Sequence, residues 1–271
     1  MTAKEFRQAL KNRQRIYGTQ IASTSPRLVD AVKGAGVDFV FIDTEHIPIG
    51  RETLSWMCQA YRNAGLPPVV RIPAPDPYQA CMVLDGGAAC VKVPYIESAD
   101  QAREMAGATK FRPFKGRRLR ALLEGQPPPP HVAEYIRKFN EDYSLLLNIE
   151  SIAGMAALDE ILAVPGVDGI IIGPHDLTCS LDAPEDYRGG AFDAAARQIL
   201  ARCQAASVSA GLHVHHPDCV NDEIAWAKAG ANVIIHSGDI TLFRQTLLRD
   251  MARMRQALGD AQQTGGAGVT V

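Results

Sequence analysis

Eight short runs of β-forming residues recur along this chain, near 16–21, 38–43, 68–72, 90–94, 144–149, 168–172, 210–214 and 232–236, with helical patterns in every gap between them. Runs such as Leu145-Leu146-Leu147 and Ile170-Ile171-Ile172 are continuously apolar and do not alternate with polar residues. Strands of that composition are buried on both faces, as in a parallel sheet covered by helices. Eight strand–helix units are the number that closes a barrel, so the pattern predicts an α/β fold of the (β/α)8 TIM-barrel type. Gly34 and Gly36, Gly65 and Gly230 stop crossover helices. A chain of 271 residues fits one such domain better than two ordinary ones. We expect the domain over 1–258, opened by a short helix up to about Lys11, and a disordered tail over 259–271, rich in Gly, Gln, Thr and Ala.

Charge narrows the class of partner. Against 28 basic residues stand 30 acidic ones, a net charge of -2, so no strong field favours nucleic acid or an anionic membrane. Small-molecule chemistry is the expectation. The opening Met1-Thr2-Ala3-Lys4-Glu5-Phe6-Arg7 lacks the apolar core of a signal peptide, and no apolar run approaches membrane-spanning length, which points to the cytoplasm. Cys58, Cys81, Cys90, Cys179, Cys203 and Cys219 show no C-x-x-C spacing and read as reduced packing residues. The regular spacing fails between Thr109 and His131, where a basic Lys115-Gly116-Arg117-Arg118 precedes four prolines, Pro127 to Pro130. This reads as a long loop on the catalytic side, either a cover for the substrate or a rigid polyproline spacer.

In a TIM barrel the strand C-termini converge on the face that holds the active site. Glu150 and Asp176 stand at that end of strands five and six, so two carboxylates from neighbouring strands meet there. They leave most of an octahedral shell open, which suits Mg²⁺ or Mn²⁺, with Co²⁺ a third candidate, and makes zinc a poor match. Each acid alone is equally readable as a helix cap. In Gly173-Pro174-His175-Asp176-Leu177, glycine permits close approach of a ligand and proline can open a helical turn. The free amides of His175 and Asp176 then offer a place for an anion. Strand two ends in Asp43-Thr44-Glu45-His46 and strand three in Arg71. Arginine there either polarises a carbonyl or pairs with Asp43 or Glu45. His46 is either a proton-transfer group or a hydrogen-bonded loop residue. Asp85 reads as a turn residue, with orientation of a histidine as the alternative. His213, His215 and His216 resemble metal ligands by composition, yet alternation sends neighbours to opposite strand faces, leaving His215 as a pocket-lining candidate with His236 and Ser237.

These residues, in this order, resemble the class II pyruvate-dependent aldolases of the HpcH/HpaI type, in the phosphoenolpyruvate/pyruvate barrel superfamily, as in 4-hydroxy-2-oxoheptanedioate and 2-dehydro-3-deoxyglucarate aldolases. The likeness runs from about Phe6 to Arg255 and rests on Ile42-Asp43-x-Glu45-His46, Val70-Arg71, Leu84-Asp85-x-Gly87, Ile149-Glu150-Ser151 and Gly166-Val167-Asp168-Gly169-x-x-Ile172-Gly173-Pro174-x-Asp176-Leu177. The resemblance implies that Glu150 and Asp176 bind the metal and that Arg71 contacts the pyruvyl keto oxygen. It implies His46 in proton transfer, with Asp43 in support. It also implies a homo-oligomer, usually a hexamer, in which the aspartate matching Asp85 reaches a histidine of a neighbouring subunit. Three departures are visible: Asn148 where the family more often has Gln, His175 in place of a small residue, and Lys115-Gly116-Arg117-Arg118 without the usual glycine-rich form. They bear on the aldehyde pocket more than on the metal and pyruvate half.

The expected reaction is reversible cleavage of a 4-hydroxy-2-oxo acid to pyruvate, or a related 2-oxo acid, and an aldehyde. The 2-oxo acid chelates the metal, the His175 and Asp176 amides hold its carboxylate, Arg71 and the metal stabilise the enolate, and His46 or a water moves the 4-hydroxyl proton. Lys92 is the one candidate for a Schiff base, a route the metal set makes unnecessary. The alternatives are a metal-dependent decarboxylase or other carbon–carbon lyase acting on oxaloacetate-like acids, and a non-catalytic barrel that binds a metal and a carboxylic acid.

Overall fold

The computed structural model describes residues 1–216 and 219–261. The part of the expected tail over 262–271 lies outside them. Among the described residues the chain runs α1 (Ala3–Lys11), β1 (Ile16–Ile21), α2 (Arg27–Lys33), β2 (Phe39–Asp43), α3 (Arg51–Asn63), β3 (Pro68–Arg71), α4 (Pro77–Asp85) and β4 (Cys90–Val93). It continues through α5 (Ala99–Lys110), α6 (Gly116–Leu123), α7 (Pro130–Phe139), β5 (Ser144–Ile149), α8 (Ile152–Ala156), α9 (Leu158–Leu162) and β6 (Gly169–Ile172). The last elements are α10 (Pro174–Ser180), α11 (Gly190–Ala205), β7 (Ser209–Val214), α12 (Val220–Lys228), β8 (Val233–Gly238) and α13 (Asp239–Leu258). Strands pair in parallel in the order β1 to β8, and β8 returns to β1 to close the barrel. The expected (β/α)8 fold is therefore present, with strand positions within about two residues of those read from the sequence.

Two apolar layers hold it together. Phe39, Phe41, Val69, Cys90, Leu146, Ile171, Val233 and Ile235 point into the barrel, while their strand neighbours Val40, Ile42, Val70, Val91, Leu145, Leu147, Ile170 and Ile172 pack outward under the helices. This period of two within continuously apolar strands is why those strands carry no polar face. The helix α1 closes the barrel at the strand N-termini. Its start is fixed by a capping box, in which Glu5 N–H donates to Thr2 Oγ1 at 3.2 Å and Thr2 N–H donates to Glu5 Oε2 at 2.7 Å. Phe6, Ala9 and Leu10 form its buried stripe, and Phe6 meets Phe39 edge to face at 5.2 Å. Full burial of one such ring contributes about 1.5–3 kcal/mol.

The segment after Thr109 differs from expectation. It forms α6 and α7 and follows α5, a helix that runs back from the catalytic face, so it belongs to the opposite end of the barrel. Its anchors agree: Lys110 Nζ donates to Tyr143 O at 2.5 Å and pairs with Asp168, Arg112 pairs with Asp85, and Asn140 Nδ2 donates to Arg112 O at 2.9 Å. In this chain the segment is neither a cover for its own site nor a bare polyproline spacer. One surface is conspicuously apolar. The 20-residue α13 has no buried residue, and Ile240, Phe243, Leu247, Met251, Met254 and Leu258 form an exposed stripe along it at spacings of three and four. No helix among the described residues is long and apolar enough to cross a membrane.

Candidate active site

At the strand C-termini the barrel interior changes from apolar to polar. Asp43 and Arg71 end adjacent strands in register, and Arg71 is paired in turn with Lys92 on β4. Arg71 is held from two sides: Nε and Nη2 donate to Asp43 Oδ1 and Oδ2 at 2.8 and 2.6 Å, and Nη1 lies 2.9 Å from Glu45 Oε2. Burial alone would raise the Asp43 carboxyl, but the Arg71 hydrogen bonds and charge outweigh it and hold the group below its usual range. Burial opposes the Arg71 charge too, and Asp43 and Glu45 more than compensate. Thr44 ties the loop after β2 to β3, with N–H and Oγ1 donating to Arg71 O at 3.0 and 2.6 Å. Arg71 is thus ion-paired with Asp43 and Glu45, and this pairing fixes its guanidinium at the end of β3.

Glu150 follows β5, and the pairing of Ile149 with Ile172 sets it beside Gly173. Tyr95 N–H donates to Glu150 Oε1 at 2.7 Å and Asn148 Nδ2 to Oε2 at 2.8 Å. Burial raises the Glu150 carboxyl above its usual value, and the nearby Asp176 charge acts in the same direction. Asp176 sits in the first turn of α10, a third exposed, with His175 Nδ1 3.9 Å from its Oδ1. Gly173 is the N-cap with extended backbone, no side chain caps the helix, and Pro174 at its first position has no N–H. The amides of His175 and Asp176, in this first turn, therefore have no intrahelical acceptor. An alanine Cβ at Gly173 would overlap Glu150 Oε2, so close packing requires glycine here.

Lys92 is 1% exposed, and its Nζ lies 4.2 Å from the Phe41 ring centroid. Burial, and then the Arg71 charge, bring its pKa down to about 7. His213 near the end of β7 and His215 just beyond it have ring centroids 3.9 Å apart. Burial lowers both, His215 to about 4, so they are neutral at pH 7. His215 lies beside His213, near Lys92 and Arg71, and His216 leaves the group to pair with Asp222 at 2.9 Å and stack on Tyr187.

Other expected site residues lie elsewhere. His46 is at the mouth but more than half exposed, 3.8 Å from Glu45 Oε2. Asp85 ends α4 at the opposite end of the barrel, is largely exposed and pairs with Arg112, so within one chain it does not reach the site. His236 does not line the pocket. Val233 and Ile235 point inward, which turns His236 outward to Glu223 at 2.8 Å. Ser237 is buried, without a hydrogen-bond partner for Oγ among the described residues. The cysteines are all unpaired, and five are buried or partly buried as predicted, whereas Cys179 is exposed. Three contributors escaped the list of site residues drawn from sequence: Glu45, Asn148 and the Tyr95 amide. Asn148 lies on β5 two residues before Glu150, so the alternation of the strand was the available signal for it. Tyr95 acts through its backbone at φ 51°, which no side-chain pattern announces.

A divalent cation fits this donor set. Asp43, Glu45, Glu150 and Asp176 gather around Arg71 and Lys92, an excess of acidic side chains that a dication can balance. The donors are all oxygen, and the buried Asn148 Oδ1 has no hydrogen-bond partner among the described residues.

Comparison with known proteins agrees with the geometry. A family model described as HpcH/HpaI aldolase/citrate lyase matches residues 17–245. A hydroxypyruvate/pyruvate aldolase of Roseovarius nubinhibens is 31% identical over 92% of this chain and 96% of its own length. A 2-keto-3-deoxy-L-rhamnonate aldolase of Klebsiella pneumoniae is 30% identical over 97% of both chains. Among solved structures, an HpcH/HpaI aldolase/citrate lyase family protein from Burkholderia cenocepacia superposes with a TM-score of 0.79 at 27% identity, over 93% of this chain and 99% of that one.

Proposed function

Since this chain belongs to the HpcH/HpaI aldolase/citrate lyase family and is a carbon–carbon lyase, we propose that it reversibly cleaves a 4-hydroxy-2-oxo acid to pyruvate, or a related 2-oxo acid, and an aldehyde. The observation that carries this reading is the convergence of Glu150 and Asp176 beside an Arg71 that is locked in place by Asp43 and Glu45. Glu150 and Asp176 are the residues that hold the divalent ion, Mg²⁺ or Mn²⁺ by their oxygen-only chemistry, with Co²⁺ a workable substitute. When bound, that ion supplies positive charge where the substrate's keto oxygen becomes negative.

The protein's own residues do the rest. Breaking the bond between C3 and C4 sends its electron pair toward C2, and the keto oxygen takes up the charge. Arg71 meets that oxygen with a guanidinium already oriented before substrate arrives, so no reorganisation is needed. Asp43 positions Arg71. The amides of His175 and Asp176, beside Gly173 and Pro174, hold the substrate carboxylate. His46 accepts the 4-hydroxyl proton as the aldehyde leaves, and a proton taken from solvent by C3 completes pyruvate. Lys92 keeps the floor electropositive without forming a Schiff base. We place the enzyme in the cytoplasm, a reducing compartment that suits six unpaired cysteines. The apolar stripe of α13 supports a homo-oligomer, with a second copy of the chain as its cover, and a hexamer in which Asp85 serves a neighbour's histidine.

The test is pyruvate release from a panel of 4-hydroxy-2-oxo acids and oxaloacetate, using chelator-stripped protein reloaded with Mg²⁺, Mn²⁺ or Co²⁺. Metal-restored pyruvate with a matching aldehyde is the expected result. Release of CO₂ from oxaloacetate with no aldehyde product from any substrate would replace the aldolase by a decarboxylase.

A further inference from the structure

A second group of ligand-type side chains lies on the outside of the barrel wall, away from the catalytic carboxylates. It comes from α12 and β8. Cys219 is the N-cap of α12 and Glu223 is one turn further on, so both occupy the helix face turned toward β8, where His236 points outward. Cys219 Sγ lies 3.7 Å from Glu223 Oε1 and 3.9 Å from His236 Nδ1, and His236 Nδ1 lies 2.8 and 3.1 Å from the two Glu223 oxygens. Cys219 and Glu223 are buried, 4% and 9% exposed, whereas the His236 side chain is 36% exposed. It is the one set of three or more His, Cys, Asp or Glu side chains among the described residues whose ligand atoms all fall within 4.8 Å.

We propose that Cys219, Glu223 and His236 form a separate zinc site that clasps the start of α12 to the end of β8. The spacing suits that ion. Zinc bonds of about 2.3 Å to sulfur and about 2.0–2.2 Å to nitrogen and oxygen, at tetrahedral angles, set sulfur roughly 3.5 Å from each partner and nitrogen roughly 3.3 Å from oxygen. Both sulfur distances here are within a few tenths of an ångström of that geometry, and the nitrogen and oxygen need only part from hydrogen-bonding distance. The exposed side of His236 leaves the fourth position open to water. Chemistry sorts the two sites: a thiolate with an imidazole favours zinc, whereas the oxygen donors of Glu150 and Asp176 favour magnesium or manganese.

Cobalt(II) titration of the chelator-stripped full chain tests this, because only a thiolate ligand gives the near-ultraviolet sulfur-to-cobalt charge-transfer band. The band is expected to saturate at one ion per chain, to be displaced by Zn²⁺ and not by Mg²⁺, and to persist in a Glu150→Ala/Asp176→Ala double variant. Cys219→Ser is expected to abolish it, with an unchanged circular dichroism spectrum, while Cys81→Ser and Cys179→Ser keep it. His236→Gln, which leaves the thiol in place, is expected to shift the band and weaken binding. A wild-type titration without the band overturns the proposal, as does a band that survives Cys219→Ser, and the trio is then a histidine–carboxylate pair beside an unligated cysteine.

Discussion

Replacing Gly173 by alanine tests Glu150 as a metal ligand without touching any ligand. The backbone at Gly173 is extended, φ -91° and ψ 101°, so alanine adopts it without strain. Its only obstacle is steric: the new Cβ overlaps Glu150 Oε2 and comes within 3.1 Å of Glu150 Cβ and Cδ. The carboxylate has to move, and it is held by Tyr95 N–H at 2.7 Å and Asn148 Nδ2 at 2.8 Å. A hydrogen bond to a charged group contributes about 1.5–3 kcal/mol. Losing one therefore weakens ion binding by about 10- to 150-fold. A displacement of about 1 Å at a reacting centre costs on the order of 10²-fold in rate, so kcat/KM at saturating ion falls as well. Calorimetric titration of the stripped protein with Mn²⁺ reads the first effect, and steady-state pyruvate release reads the second. The barrel itself survives, with Tm lowered by about 10 °C or less. Ion affinity and kcat/KM both within about twofold of wild type would refute the assignment of Glu150.

Glu150→Ala and Asp176→Ala should each abolish ion-dependent turnover, and activity retained after reloading with Mn²⁺ would remove that residue from the ligand set. Arg71→Ala should lower kcat/KM by roughly 3–4 kcal/mol of transition-state stabilisation, the cost of removing an oxyanion donor. Loss confined to KM would instead make it a uniform binding residue. Lys92→Met should stabilise the fold while reducing kcat/KM. Burial holds Lys92 at about 7 against an ordinary 10.5, so its penalty on folding is fully present below about pH 7 and vanishes as pH rises past 10.5. The gain in Tm should therefore be large at pH 6 and small near pH 10, and a gain independent of pH would point to packing alone. If the proposed homo-oligomer forms through α13, Phe243→Glu with Leu247→Glu should convert it to monomers in light scattering, and an unchanged mass would show that this face is not the interface.

How much of this was legible in the sequence follows from which physical signals are local. The strands were readable because each is a continuous apolar run, and Asp43, Arg71 and Glu150 stood out because each breaks such a run at its end, Asp176 because it opens the helix after one. The phase of a strand is less local. His236 lies in an apolar run that ends ambiguously, and only the inward packing of Val233 and Ile235 turns it away from the pocket. The end of the barrel served by an insertion is less local still. Residues 109–131 were assigned to the catalytic side because periodicity cannot say whether a long segment precedes or follows its crossover helix; here it follows α5, and Lys110 and Arg112 tie it to Asp168 and Asp85. Asp85 itself looks like a site residue in the motif and lies at the wrong end in one chain.

The same eight strands serve two purposes, and the division explains why the polar half is affordable. Below, Phe39, Phe41, Leu146, Ile171, Val233 and Ile235 fill the barrel with α1 as its floor. Above, Asp43, Arg71, Lys92, Asn148, Glu150 and His213 are buried where hydrocarbon would pack better. Breaking a buried ion pair by removing one partner costs about 3–5 kcal/mol, and replacing the whole set by apolar residues is often stabilising. Stability therefore does not explain the upper layer. What the layer provides is orientation: a guanidinium fixed by two carboxylates, and a carboxylate fixed by an amide and an asparagine, both set before any substrate enters. In a reaction whose chief requirement is charge stabilised at one oxygen, that preorganisation is the function the lost stability supports.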